Sequence, residues 1–264
     1  MPLVPYNLKT LKRAMTLAKN AIKASGEERN GRILTLSCPD LIAKRSDLEE
    51  IFERSFVTLP VRHDAEKILN WHKAHARTLQ VFDTSHLFNQ LGFEHTVIDL
   101  VNSRPSSVGE VWVHDLSEPI EQPMKDILDK KFDIVFDCIS NQCFNVAQVW
   151  KTMVECCRVG GLILSVTPVQ MINQGFWDIS PTTYQDFFRN NGFDIIEHSM
   201  VVGVYEQKHK IEFNNEQWFK RMRDVPDDAM NLFLASRRVA VPVQWPVMSK
   251  FIKYPDCLLD NYNR

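Results

Sequence analysis

Apolar positions along this chain follow two spacings, and the clearest switch between them lies from Phe132 to Pro168. Phe132 to Cys138 is apolar and β-branched except at Asp133 and Asp137, and a run apolar on both sides suits a strand covered on both faces. From Asn145 to Arg158 the apolar residues are Val146, Val149, Trp150, Met153, Val154 and Cys157, the three-and-four spacing of a helix with one buried face. Asn145 is placed to cap that helix, Gly160 and Gly161 supply its stop, and Leu162 to Val166 is a second buried strand closed by Pro168. Strand, helix and strand over this length predict a right-handed crossover in a mainly parallel sheet, with any ligand at the carboxyl ends of the strands. Asp137 to Asn145 and Thr167 to Gly175 then face one crevice.

The same spacings divide the remainder. Leu8 to Ala24 is a basic amphipathic helix whose apolar side is small and lacks aromatics, which suits packing on the domain or a subunit contact better than a membrane surface. Arg32 to Cys38 reads as a strand, followed by a helix from Ser46 to Phe56 with Ser46 as cap and Glu49 at the capping-box position. Asp64 to Lys73 and Ser85 to Leu91 are helical, and Gly92 to Leu100 is a strand ending on Asp99. Leu79 to Phe82 offers a rival first strand; Ile33 to Ser37 is preferred, because Ser85 to Leu91 then feeds the next strand. Glu110 to Leu116 is a shorter strand ending in His114, Asp115 and Leu116, and Met124 to Leu128 is a helix. Ser180 and Pro181 open a helix that runs to Asn190, Phe193 to Tyr205 is a strand, and Met230 to Ala235 is the last one. Lys208 to Arg223 is locally basic with two aromatics, but Glu206, Glu212 and Glu216 dilute it, so it reads as a solvated connection. The organisation expected is a helical extension over 1–31, one domain over 32–241 with a helical insertion at about 57–84, and a tail over 242–264 that wraps the domain or a partner subunit.

Composition narrows the function classes. With 264 residues, 44% hydrophobic and 24% charged, the chain can bury one good core and is read as a single α/β domain with additions. A formal net charge of −2 gives no general attraction to nucleic acid or anionic membrane. No apolar run reaches the ~20 residues a membrane-spanning helix needs, and the amino-terminal stretch carries no continuous apolar segment of signal-peptide type. The six cysteines have no paired CxxC spacing, which fits a reduced, cytoplasmic setting. Cys138 and Cys143 read as buried small hydrophobes, and no metal site is expected.

The Phe132–Pro168 unit followed by GFWDISPTTYQDFFRNNGF, residues 175–193, resembles the second half of a class I S-adenosylmethionine-dependent methyltransferase. The resemblance is strongest to bacterial methyltransferases in which a "GFxxxSPT" stretch follows the fifth strand, and it runs from about Ile33 to Val241. It implies a Rossmann-like fold, a mainly parallel seven-stranded sheet with an antiparallel last strand and helices on both faces, and S-adenosyl-L-methionine as cofactor. Asp99, ending its strand, would accept hydrogen bonds from both ribose hydroxyls, as a carboxylate can. In the family pattern Asp115 reaches the adenine amino group and Leu116 lies on the ring. Ser37 and Cys38 stand where the family has a glycine-bearing turn, and Leu100, Asp137, Cys138 and Ile139 complete the cofactor set. Asn141 and Gln142 replace a Glu-His pair, and Gln174 replaces a histidine before Gly-Phe. With Phe176 and Trp177, which wall a substrate or cover the core, these form the acceptor side.

Amides orient a substrate but do not act as bases near neutral pH. The base is therefore Asp137, His86 or His114, or the acceptor needs none, or catalysis is altered. His72 and His75 read as solvated or capping residues. The leading expectation is methyl transfer to a small-molecule or glycan-linked acceptor. A catalytically silent methyltransferase-like subunit, binding S-adenosylmethionine weakly or supporting a partner enzyme, is the alternative. A homodimer or a partner subunit is compatible with both. A nicotinamide-dependent oxidoreductase ranks last, since no G-x-G-x-x-G turn follows the first strand.

Overall fold

The computed structural model describes residues 2–72, 74, 78–102, 109–171, 173–203, 209–213, 225 and 228–246. In chain order the elements are α1 (Pro5–Ala24), β1 (Gly31–Leu36), β2 (Leu41–Ala43), α2 (Arg45–Phe52), α3 (Ala65–Trp71), β3 (Gln80–Phe82) and α4 (Thr84–Gln90). Then come β4 (Phe93–Asp99), β5 (Glu110–Val113), α5 (Met124–Leu128), β6 (Phe132–Asp137), a 3-10 turn (Ser140–Gln142), α6 (Val146–Cys156) and β7 (Cys157–Gln170). The chain continues with α7 (Pro181–Asn190), β8 (Phe193–Val202), β9 (His209–Glu212) and β10 (Ala229–Arg237).

Among the described residues eight strands form one sheet in the order β5-β4-β1-β6-β7-β10-β8-β9. The first five pair in parallel, and β10 runs antiparallel between β7 and β8. This is the expected Rossmann-like, mainly parallel architecture with an antiparallel strand near one edge, and it has one strand more than the seven expected. The addition is β9, which pairs antiparallel with β8 at the sheet edge. It is formed by residues read from sequence as a solvated connection; residues 208 and 214–223 of that connection, and the tail beyond residue 246, lie outside the described residues.

Alternation along the strands explains why the sheet is covered twice. Ile33, Ile134, Phe136, Leu164, Leu232 and Leu234 face one core with Leu8, Leu11 and Met15 of α1 and Leu87 and Phe88 of α4. Their neighbours Leu34, Val135, Ile163, Phe233 and Ala235 face the other, with Trp150 and Met153 of α6 and Tyr184, Phe187 and Phe188 of α7. The amino-terminal helix is thus a layer of the domain, packed on the sheet. It starts one turn earlier than its apolar spacing predicts, because Pro5 suits a first turn and Asn7 Oδ1 accepts from Val4 N at 2.8 Å.

Other boundaries moved for local reasons. Lys44, not Ser46, is the cap residue of α2, and the helix stops at Phe52, where Glu53 turns left-handed at φ 52°. Glu49, expected to reach back to the cap, accepts forward from Phe56 N at 3.0 Å. The stretch offered as a rival first strand is β3, which pairs with β2 in a separate antiparallel sheet. α6 passes directly into β7, with Gly160 and Gly161 inside the strand beside a register shift. A Cβ on Gly161 would meet two carbonyl oxygens at 2.9 Å, so the bulge needs glycine there. β7 also runs through Pro168 to Gln170; the missing N–H is tolerated where the register with β10 shifts.

Asp133, the charge that interrupts β6, is fully buried at the far end of the sheet from the crevice. Arg29 donates to it twice, at 2.7 and 2.9 Å, Arg32 N donates at 2.7 Å, and Arg158 Nε donates as well. Burial pushes its carboxyl up, and the bonds from Arg29 and Arg32 more than offset this, holding it below the usual carboxylate range. The amino ends of β1, β6 and β7 are thereby tied together.

Candidate functional site

β1 has β4 on one side and β6 on the other, so the chain leaves their carboxyl ends in opposite directions and opens a crevice at the switch point. Two cavities occupy it. One, of about 380 Å³, is lined by Asp99 and Leu100 from the end of β4, His114, Asp115 and Leu116 from the end of β5, and Phe144 and Phe176. The other, of about 630 Å³, is lined by Cys38, Asp40, Trp71, His72, Cys138, Gln174 and Asp228, among others. Ser37, Ile139 and Gln142 line both, so the cavities meet along one wall.

In the smaller cavity Asp99 is 8% exposed. Its Oδ1 accepts from Leu100 N at 2.8 Å and its Oδ2 from Ser37 Oγ at 2.9 Å. Ser37 adopts φ 64°, a left-handed backbone that glycine takes more readily than serine. Leu100 is 65% exposed, Leu116 is buried, and Asp115 lies on the surface with Oδ1 accepting from Ser117 N. His114 Nε2 donates to Glu118 O at 3.1 Å.

Four sequence-predicted residues line neither cavity. Asp137 is fully buried behind the shared wall, where Oδ1 accepts from Ile139 N and Ser140 N and Oδ2 accepts from the hydroxyls of Ser140 and Ser165, all within 3.0 Å. A carboxylate so occupied shapes the loop and has no open access to a substrate proton. His86 belongs to the first turn of α4; Asp83, the helix cap, accepts from its N–H and lies 3.2 Å from its Nδ1. Asn141 is 1% exposed and pins the following loop, with Nδ2 donating to Gln174 O and its carbonyl accepting from Phe176 N and Trp177 N. Gly175 is what allows this approach, since a Cβ there would lie 2.5 Å from Asn141. Trp177 donates to Phe144 O at 3.1 Å and packs beside that ring, forming an aromatic edge with Phe176.

The cysteines that line the crevice are ordinary thiols. Burial pushes Cys38 and Cys143 up to about 12 and Cys138 to about 11, so none is a thiolate near neutrality. No metal-binding cluster is found among the described residues, and no described helix is long and apolar enough to cross a membrane.

One pair escaped the sequence reading. His72 Nε2 lies 3.0 Å from Asp40 Oδ2, and Arg62 braces Asp40 Oδ1 at 3.2 Å while pairing with Asp64. Asp40 and His72 both line the larger cavity. They are 32 residues apart, and only the folding of β2, α2 and α3 onto one side of the crevice joins them. The available signal was the position of Asp40 just past the first strand. An imidazole backed by a carboxylate is the arrangement that accepts a proton and holds the resulting charge.

No family model matches the chain, and no curated protein matches it in sequence. Solved structures do. The citrinin polyketide synthase CMeT domain is 13% identical over 80% of this chain, with a TM-score of 0.40, and this chain spans only 47% of that one. A TehB-like S-adenosylmethionine-dependent methyltransferase from Corynebacterium glutamicum is 11% identical, covering 84% of this chain and 87% of its own, with a TM-score of 0.39. The N-methyltransferase NodS from Bradyrhizobium japonicum, in complex with S-adenosyl-L-homocysteine, is 10% identical over 87% of each chain, also at 0.39. Likeness at this distance concerns the course of the backbone, and the chemistry is left to the rim itself.

Proposed function

We propose that this protein transfers a methyl group from S-adenosyl-L-methionine to a small-molecule or glycan-linked acceptor, with the adenosyl moiety in the smaller cavity and the acceptor in the larger. The carrying observation is the shared wall of Ser37, Ile139 and Gln142, which brings a nucleoside-type carboxylate site and a histidine-bearing cavity into contact. The residues of the smaller cavity suit the group: Asp99 offers a carboxylate to a ribose diol, Leu100 and Leu116 offer apolar cover, and Asp115 offers an acceptor to an exocyclic amine.

When bound, the sulfonium supplies an activated methyl group. The chain's own work is to bind, align and accept a proton. Asp99 and Asp115 hold the two ends of the nucleoside. Ile139 and Gln142 separate and align the two ligands. His72, oriented by Asp40, takes the acceptor proton, a part that Asn141, Gln142 and Gln174 cannot play. Among the described residues the carboxylates of Asp40 and Asp228 line the larger cavity.

Calorimetric titration with S-adenosyl-L-homocysteine tests the reading. The wild type is expected to bind, and Asp99→Ala to bind at least about tenfold more weakly, since a single effective hydrogen bond to a charged group is worth roughly 1.5 kcal/mol. His72→Gln, in the other cavity, is expected to keep the wild-type affinity within about a factor of two, below ~0.4 kcal/mol. Silence at millimolar ligand would abandon the enzyme and favour a methyltransferase-like subunit that serves a partner.

A further inference from the structure

Three residues lining the crevice have left-handed backbones: Ser37 at φ 64°, Asn173 at φ 66° and Asp228 at φ 64°. Asn and Asp tolerate this conformation; serine does so less readily. Ser37 is fixed there by two hydrogen bonds, its N–H donating to Ile98 O at 2.7 Å and its Oγ donating to Asp99 Oδ2 at 2.9 Å. With Leu100 N on Oδ1, each oxygen of this nearly buried carboxylate carries a hydrogen bond before any ligand arrives. A vicinal diol that engages both oxygens at once must displace the Ser37 hydroxyl or share its acceptor.

Building on the adenosyl reading of the smaller cavity, we infer that Ser37 is a built-in competitor of the ribose: its hydroxyl holds the Asp99 oxygen that one ribose hydroxyl would take, so it weakens nucleoside binding and reduces the diol to one effective hydrogen bond. The residue sets affinity and sugar selectivity together. A protein so arranged binds its donor loosely and discriminates poorly between ribose and 2′-deoxyribose.

Calorimetry on the full chain decides this, with S-adenosyl-L-homocysteine, adenosine and 2′-deoxyadenosine as probes. Ser37→Ala removes the hydroxyl and keeps the Cβ; it is expected to tighten S-adenosyl-L-homocysteine about tenfold, or about 1.4 kcal/mol. The same change should widen the preference for adenosine over 2′-deoxyadenosine from about two- or threefold to more than about tenfold. Ser37→Gly also removes the backbone constraint and should bind at least as tightly, which covers the case of an alanine variant that folds poorly. Unchanged or weaker binding in both variants, with a wild type that binds, overturns the competitor and leaves the adenosyl site standing. If neither the wild type nor either variant binds at millimolar ligand, the adenosyl reading fails and the competitor fails with it.

Discussion

Asp137→Ala is expected to lower folding stability by about 4 kcal/mol or more, read from the urea midpoint at constant slope. The carboxylate is fully buried and accepts four hydrogen bonds, two from backbone amides and two from hydroxyls. Alanine would take this acceptor from all four donors; Ser165 Oγ still has the Tyr184 hydroxyl, but the Ile139 and Ser140 amides lose theirs in a space closed to bulk water, where unsatisfied groups cost roughly 1–3 kcal/mol each. The effect reaches beyond the loop. Ser165 Oγ lies 3.1 Å from the Tyr184 hydroxyl, which lies 2.6 Å from Thr167 Oγ1, so the network runs from the end of β6 through β7 into α7. Burial pushes the Tyr184 phenol well above its ordinary value, keeping it a neutral member of the chain. Asp137→Asn keeps the shape and an acceptor for the two amides, while the hydroxyls can rotate to accept from its NH₂. It is expected to recover more than half of the loss and to leave S-adenosyl-L-homocysteine binding intact. An alanine variant as stable as the wild type would return Asp137 to the list of chemical groups.

Acid is expected to unfold this protein early, with stability falling by up to about 3 kcal/mol per pH unit below pH 6.5. Two histidines are responsible. His95 is buried between Thr35 Oγ1 and Ser85 Oγ, each 2.8 Å from a ring nitrogen, and burial lowers it from 6.5 to about 3. His198, packed among Tyr184, Phe213 and Phe233, is lowered to about 3 mainly by burial. The folded values lie below the unfolded one, so the unfolded chain takes up protons first as pH falls. The stabilisation is complete above pH 6.5 and is lost from there toward pH 3, at roughly 1.4 kcal/mol per unit for each ring. Asp133 belongs to a lower window, since its lowered carboxyl gives up stability only below its ordinary 3.8. Urea midpoints measured from pH 7.5 to 4.5 check the slope. His198→Phe, which keeps a ring among rings, should halve it; a slope unchanged in that variant would show that His198 is not buried neutral.

The parts of this fold legible in the sequence are those fixed by short-range pattern. The β6–α6–β7 unit was readable because its strands are apolar on both faces and Asn145 caps its helix, with Oδ1 accepting from Gln148 N. Asp99 could be placed because it ends β4, and Asp115 and Leu116 because they follow β5 within three residues; all three line one cavity. What was missed depends on distance along the chain. Nothing local to Leu41–Ala43 or Gln80–Phe82 announces a two-stranded sheet, because each segment is too short to carry a period and needs the other to exist. Asp40 and His72 could be joined only by that same folding. Asp137 is a different case: a strand-end acid looks alike in sequence whether it faces a ligand or its own loop, and the hydroxyls it accepts from come from residues 140 and 165.

The excursion that leaves the large sheet after β1 and rejoins it at β4 carries its own small sheet and, on one contiguous stretch from Asp40 to His72, the charged face of the larger cavity. The smaller cavity, by contrast, is assembled from residues at the tips of four separate strands. A chimaera that exchanged residues 40–83 for a foreign segment of matching ends is therefore expected to change what the larger cavity accepts while every lining residue of the smaller one is kept.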